Sequence, residues 1–104
     1  MIRTSTPTQR LTVPEEQAEL LNMLKALKIT YKQRGNIVLE KDLNDVTIEG
    51  NVISYKLTQE ETKLFTAKVT IELQVRFLTT GGDSIPSRIY RLNCEDVLND
   101  EVMV

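Results

Sequence analysis

The chain has 104 residues, 40% hydrophobic and 27% charged, with a formal net charge of −2. That balance describes one globular domain, large enough to bury a core without metals or disulfides, and its charge calls for neither nucleic acid nor acidic lipid. The single cysteine, Cys94, excludes an intrachain disulfide and a cysteine-based zinc site, and the absence of histidine removes the commonest general base and metal ligand.

The opening "MIRTSTPTQR" has no apolar core of signal-peptide length, and no later run approaches membrane-spanning length. The expectation is a chain without a signal peptide, made in a reducing cytoplasm and not inserted in a membrane. Residues 1–9 are rich in Thr, Ser and Pro and read as a flexible N-terminal arm, leaving 10–104 as a single domain. "RLTV" (10–13) reads as a first short strand. In "PEEQAELLNMLKALK", Pro14 suits a first helical turn and Glu15 and Glu16 complement its dipole. Leu20, Leu24 and Leu27 share a helical face, which predicts a helix over about 14–24. From there Leu27, Ile29 and Tyr31 alternate with Lys28, Thr30 and Lys32, so a strand is expected over about 26–33.

Next comes a turn at "QRGN" (33–36), where Gly35 supplies a positive φ, and then the returning strand "NIVLEKD". "DVTIE", a turn at Gly50-Asn51, and "VISYKL" repeat the device, with Ile53, Tyr55 and Leu57 on one face. "LTQEET" (57–62) then carries Thr58-x-x-Glu61, the signature of a reciprocal helix cap. Only a turn and a half of helix fits before the next strand, so the stretch reads as a corner that carries the chain between sheets. Thr62, outside the box, is expected to matter less than Thr58.

Ala67, Val69, Ile71, Leu73, Val75 and Phe77 alternate strictly with polar residues, a period of two that no helix stripe produces. "TTGGDS" (79–84) turns the chain into "IPSRIYRLNC", where the apolar phase slips by one. That slip predicts a bulge, and Pro86 an edge strand or a strand start. One helical turn is expected around Asp96–Asn99. The sum is a mostly β chain: an immunoglobulin-like antiparallel β-sandwich of about seven strands, with a short N-terminal helix and a helical corner turn.

Chemistry-bearing groups are sparse. Gly81-Gly82-Asp83 lacks the Lys-Ser/Thr and the helix of a phosphate loop and reads as a hairpin turn. Glu60, Glu61 and Glu72 could be imagined as a glycosidase pair, but adjacent acids on a corner are usually solvated. Asp83, Glu95, Asp96, Asp100 and Glu101 have no calcium-loop spacing. Lys25, Lys28, Lys32, Arg34 and Lys41 make a basic hairpin without interleaved aromatics, the pattern of a charged face guarding a sheet edge. Cys94 follows the apolar phase of Tyr90 and Leu92 and is expected to be buried and inert. No Ser or Thr has a base to activate it. No catalytic residue, metal ligand or cofactor is assigned, and the residues predict a protein that is not an enzyme.

"ITYKQRGNIVLEKDLNDVTIEGNVISYKLTQEETKLF", followed by "VTIELQVRFLTTGGDSIPSRIYRLNCEDVLNDEVM", resembles small structural proteins of tailed phages and prophages of gut Firmicutes. The shared order is a strand ending in a "YKQ"-like turn, "VLEK", "EGN", "LTQEET" before an aromatic, "Q-x-R" in the long strand, a Gly-Gly or Asp-Gly hairpin and a closing "VLxDEV". Such chains look like the immunoglobulin-like N-terminal sandwich of phage baseplate upper proteins. The likeness covers roughly 29–104, and "KLTQEET" with "IELQVRF" is its most specific part. "PEEQAELLNMLKALK" departs from the simple strand expected there. The resemblance implies a non-enzymatic module for tail or baseplate assembly or attachment, located in the virion and in the host cytoplasm during assembly. It implies other virion or prophage proteins as partners, self-association or docking on an oligomer, and no catalytic residues to carry over. The other readings are a host-surface or carbohydrate-binding sandwich and a head decoration protein.

Overall fold

The computed structural model describes residues 1–87 and 89–95, which form two antiparallel sheets. In the smaller sheet, β1 (Thr8–Thr12) and β4 (Thr47–Glu49) flank β5 (Val52–Lys56). In the larger sheet, β2 (Leu24–Gln33) lies between β3 (Asn36–Asp42) and β6 (Ile71–Thr79). The far side of β6 is shared by β7 (Ser84–Pro86) and β8 (Tyr90–Leu92). The period-two pattern fixes which face is buried. Leu27, Ile29 and Tyr31 of β2 and Ile71, Leu73, Val75 and Phe77 of β6 meet Ile53 and Tyr55 of β5 in one core. Each of the aliphatic and phenylalanine side chains among them contributes roughly 1.5–3 kcal/mol by leaving water.

Within a sheet the connections are tight. The β2–β3 hairpin has Arg34 at φ 53 and Gly35 at φ 79, the two positive values of a type I′ turn, so the arginine shares a strain expected only of the glycine. Among the described residues every crossing between sheets is a helical turn. A 3₁₀ helix at Glu15–Asn22 joins β1 to β2, and another at Leu43–Asp45 joins β3 to β4. The third is α1 (Gln59–Lys63), which joins β5 to β6. A chain leaving one sheet must satisfy its own amides, and a capped turn does so locally.

At α1, Glu61 N donates to the Thr58 hydroxyl at 3.1 Å while Thr58 N donates to the Glu61 carboxylate at 2.9 Å. Asp42 and Asp45 make a second reciprocal cap at Leu43–Asp45. Thr62, outside the box, is fully buried and donates its hydroxyl to the Ser5 carbonyl at 2.7 Å, which ties α1 to the N-terminal segment.

Three expectations need correction. The helix over about 14–24 is a 3₁₀ helix ending at Asn22, and β2 starts at Leu24, where pairing with Thr79 of β6 captures the chain. The long strand does not include Ala67 and Val69. Lys68 at φ 64 bends the backbone there, the Gln33 amide donates to the Thr66 and Val69 carbonyls at 2.8 and 3.0 Å, and Val69 is half-buried. The strand read over 85–93 is two strands, so there are eight in all among the described residues. The arm residues make specific bonds: Arg3 N donates to Glu95 O at 2.9 Å, Leu57 N to Pro7 O at 3.0 Å, and Thr8 and Gln9 belong to β1. The helical turn expected at Asp96–Asn99 lies outside the described residues.

Candidate interaction face

The side chains that alternate away from the core come together on the outside of the larger sheet. Lys28, Thr30 and Lys32 of β2 stand opposite Arg76, Gln74 and Glu72 of β6. This polar floor is expected of a sheet with one solvated face. Its walls are less ordinary, because the strands on both sides carry a bulge.

On β3, Leu39 pairs with Tyr31 but Ile37 pairs with Lys32, so Val38 is an extra residue in the ladder. A one-residue slip moves side chains to the opposite face, and Ile37 takes the outward position that Val38 would otherwise hold. On the other side, Pro86 pairs with Arg76 but Tyr90 pairs with Leu73, again one residue out of step. Ser87 holds this second bulge. Its amide donates to Val75 O at 2.7 Å, its hydroxyl accepts from Val75 N at 3.0 Å, and its carbonyl accepts from the Gln74 side chain at 2.9 Å. Ile37 is 57% exposed and Ile89 46%, and both line one groove of roughly 440 Å³ above the polar floor.

The charges in the groove are not equivalent. Glu40 is paired with Lys28 at 3.4 Å, and Glu72 lies 3.9 Å from Arg91. Lys32 and Arg76 have no ion-pair partner among the described residues. The face therefore presents two cations without an ion pair among the described residues and two branched aliphatic side chains.

The residues weighed in the sequence are spread over the fold. Of the basic hairpin set, Lys28 and Lys32 reach the groove and Lys25 and Arg34 are exposed. Lys41 turns inward to pair with Glu61, with side chains only 13% and 19% exposed. Burial alone would raise the Glu61 carboxyl, but Lys41 and the Thr58 cap together hold it below its ordinary value. Glu60, Glu61 and Glu72 are not brought together: one is exposed, one caps α1, and one lies in the groove.

Gly81 and Gly82 form the β6–β7 turn, with Gly82 at φ 88 and Asp83 N donating to the Thr79 hydroxyl at 3.1 Å. No group of three His, Cys, Asp or Glu among the described residues could hold a metal, and Asp96, Asp100 and Glu101 lie outside them. Cys94 is buried. Among the described residues no helix is long and apolar enough to cross a membrane.

The groove was missed in the sequence because it depends on two bulges. Only the second left a signal, the slipped phase after Pro86. The run Ile37-Val38-Leu39 hides the first, since three adjacent apolar residues fit either phase.

The architecture is thus a mostly β, two-sheet antiparallel sandwich with an open groove on one outer face. No family model and no curated protein matches the sequence. Among solved structures the chain is similar to the V domain of amphioxus IgVJ-C2, at 13% identity over 90% of this chain and 96% of that one, with a TM-score of 0.38. An overlap that loose leaves the strand pairings themselves to define the fold.

Proposed function

We propose that the chain is a non-enzymatic structural module of a phage or prophage particle, acting in tail or baseplate assembly or attachment. The observation that carries this reading is the outer groove, whose aliphatic walls and unpaired cations suit contact with another protein. The order of motifs from Ile29 onward, resembling the immunoglobulin-like sandwich of baseplate upper proteins, supplies the particle. The immunoglobulin-like size and layering of the sandwich fit that reading.

A carbohydrate-binding role is the weaker alternative. Sugar sites lean on exposed aromatic rings, but Tyr31, Tyr55, Phe65 and Phe77 are buried and Tyr90 packs half-buried against the core. A virion module is repeated around a symmetric body, so its partners are other particle proteins, with self-association or docking on an oligomer. The test is to purify particles from an induced lysogen, separate heads from tails, and digest both for mass spectrometry. Peptides of this chain in the tail fraction support the proposal, and their presence only in heads points to a decoration protein. Absence from particles, together with glycan-array binding by the isolated protein, would overturn it in favour of the host-surface reading.

A further inference from the structure

We infer that the groove takes an extended acidic segment of a neighbouring protein, with carboxylates against Lys32 and Arg76 and aliphatic atoms between Ile37 and Ile89. The inference deepens the assembly reading and rests on it for the source of the segment. Charge complementarity chooses the occupant. Both carboxylates of the groove already have cations, Glu40 with Lys28 and Glu72 with Arg91, whereas Lys32 and Arg76 have none among the described residues. The lining thus carries three cations, Lys28, Lys32 and Arg76, against two carboxylates, Glu40 and Glu72, and an incoming anion meets two cations that hold no ion pair of their own among the described residues.

The spacing narrows the chemistry. Lys32 stands opposite Glu72 in the β2–β6 ladder without an ion pair between them, and Arg76 lies four residues further along β6 on the same face. At a rise of roughly 3.4 Å per residue the two cations are set about 14 Å apart along the strands. An extended segment repeats a side-chain face every second residue, so carboxylates four positions apart reach both cations. The residue midway between them falls over the Thr30–Gln74 pair at the centre of the floor. The bulges wall this line from both sides with Ile37 and Ile89, covering apolar atoms of the segment from water. Two independent bulges presenting aliphatic side chains to one polar floor leave an exposed apolar pair that folding alone does not require.

The test uses the full chain, labelled with ¹⁵N, and the synthetic peptide Thr-Asp-Thr-Val-Thr-Asp-Thr, with Thr-Lys-Thr-Val-Thr-Lys-Thr as control. Binding with a Kd on the order of 1 mM or tighter is expected, moving amide resonances of 28–32, Ile37, 72–76 and Ile89. The shifts should shrink as salt rises. Lys32→Glu with Arg76→Glu should weaken binding about tenfold, and Ile37→Ser with Ile89→Ser should also weaken it. Lys32 and Arg76 are exposed, so the double variant should keep its dispersed spectrum, which the same experiment reads. No shift, shifts elsewhere, or equal binding of the lysine peptide would overturn the inference. The titration reads the face alone, so its failure differs from absence of the chain in particles.

Discussion

The Tyr31 hydroxyl on β2 hydrogen-bonds the Tyr55 hydroxyl on β5, joining the two sheets inside the core. The Tyr31 ring also meets the edge of Phe65, centroids 5.5 Å apart at 69°. Each hydroxyl is the other's side-chain partner, so removing one strands the other in an apolar site. Tyr55→Phe should cost about 1–3 kcal/mol in a chemical melt, and Tyr31→Phe in the Tyr55→Phe background should recover part of that loss. A double variant with the summed cost of both singles would show that the hydroxyls do not act as a pair.

The same pair predicts the alkaline limit. Burial pushes the Tyr55 phenol up to about 12, and burial with the neighbouring Tyr55 pushes Tyr31 higher still. Unfolded tyrosines titrate near 10, so above about pH 10 the unfolded chain sheds protons that the folded chain keeps. The stabilisation is complete below that point and is lost as pH rises toward the folded values. Between pH 9 and 11 the wild type should lose about 2–3 kcal/mol more than the Tyr31→Phe/Tyr55→Phe protein. Parallel stability curves for the two proteins would refute the assignment.

The α1 corner separates two kinds of threonine. Thr58→Ala removes a cap and should destabilise by about 1 kcal/mol. Thr62→Ala leaves the Ser5 carbonyl without its 2.7 Å donor at a fully buried site and should cost about 1–3 kcal/mol. The Glu61 carboxyl is held below its ordinary value, so its contribution is present above about pH 4.5 and fades as pH falls through the lower folded value. Glu61→Gln should therefore flatten the acid limb of the stability curve. A larger loss from Thr58→Ala than from Thr62→Ala would contradict this account of the corner.

How much of this was legible follows from the range of each signal. Alternation in β2, β5 and β6 identified the core, because a buried face imposes period two on neighbours in sequence. Thr58-x-x-Glu61 announces its corner, and Asp42-x-x-Asp45 is a second capping box in which acids take the place of the usual Thr and Glu. The Gln33 clamp on Thr66 and Val69 spans more than thirty residues, a contact that no local pattern encodes. Leu20, Leu24 and Leu27 misled for a similar reason: their helical spacing was real, but pairing of Leu24 with Thr79 decided the conformation. The groove was hidden because its isoleucines face outward only after two ladders slip.

The proposed role makes the chain a repeated part of a phage-like particle. Isotope-labelled standard peptides, added to purified particles before digestion, would count its copies against the tail proteins. The account predicts several copies per particle in a constant ratio to those proteins across preparations. Fewer than one copy per particle, or a ratio that falls with each purification step, would contradict it.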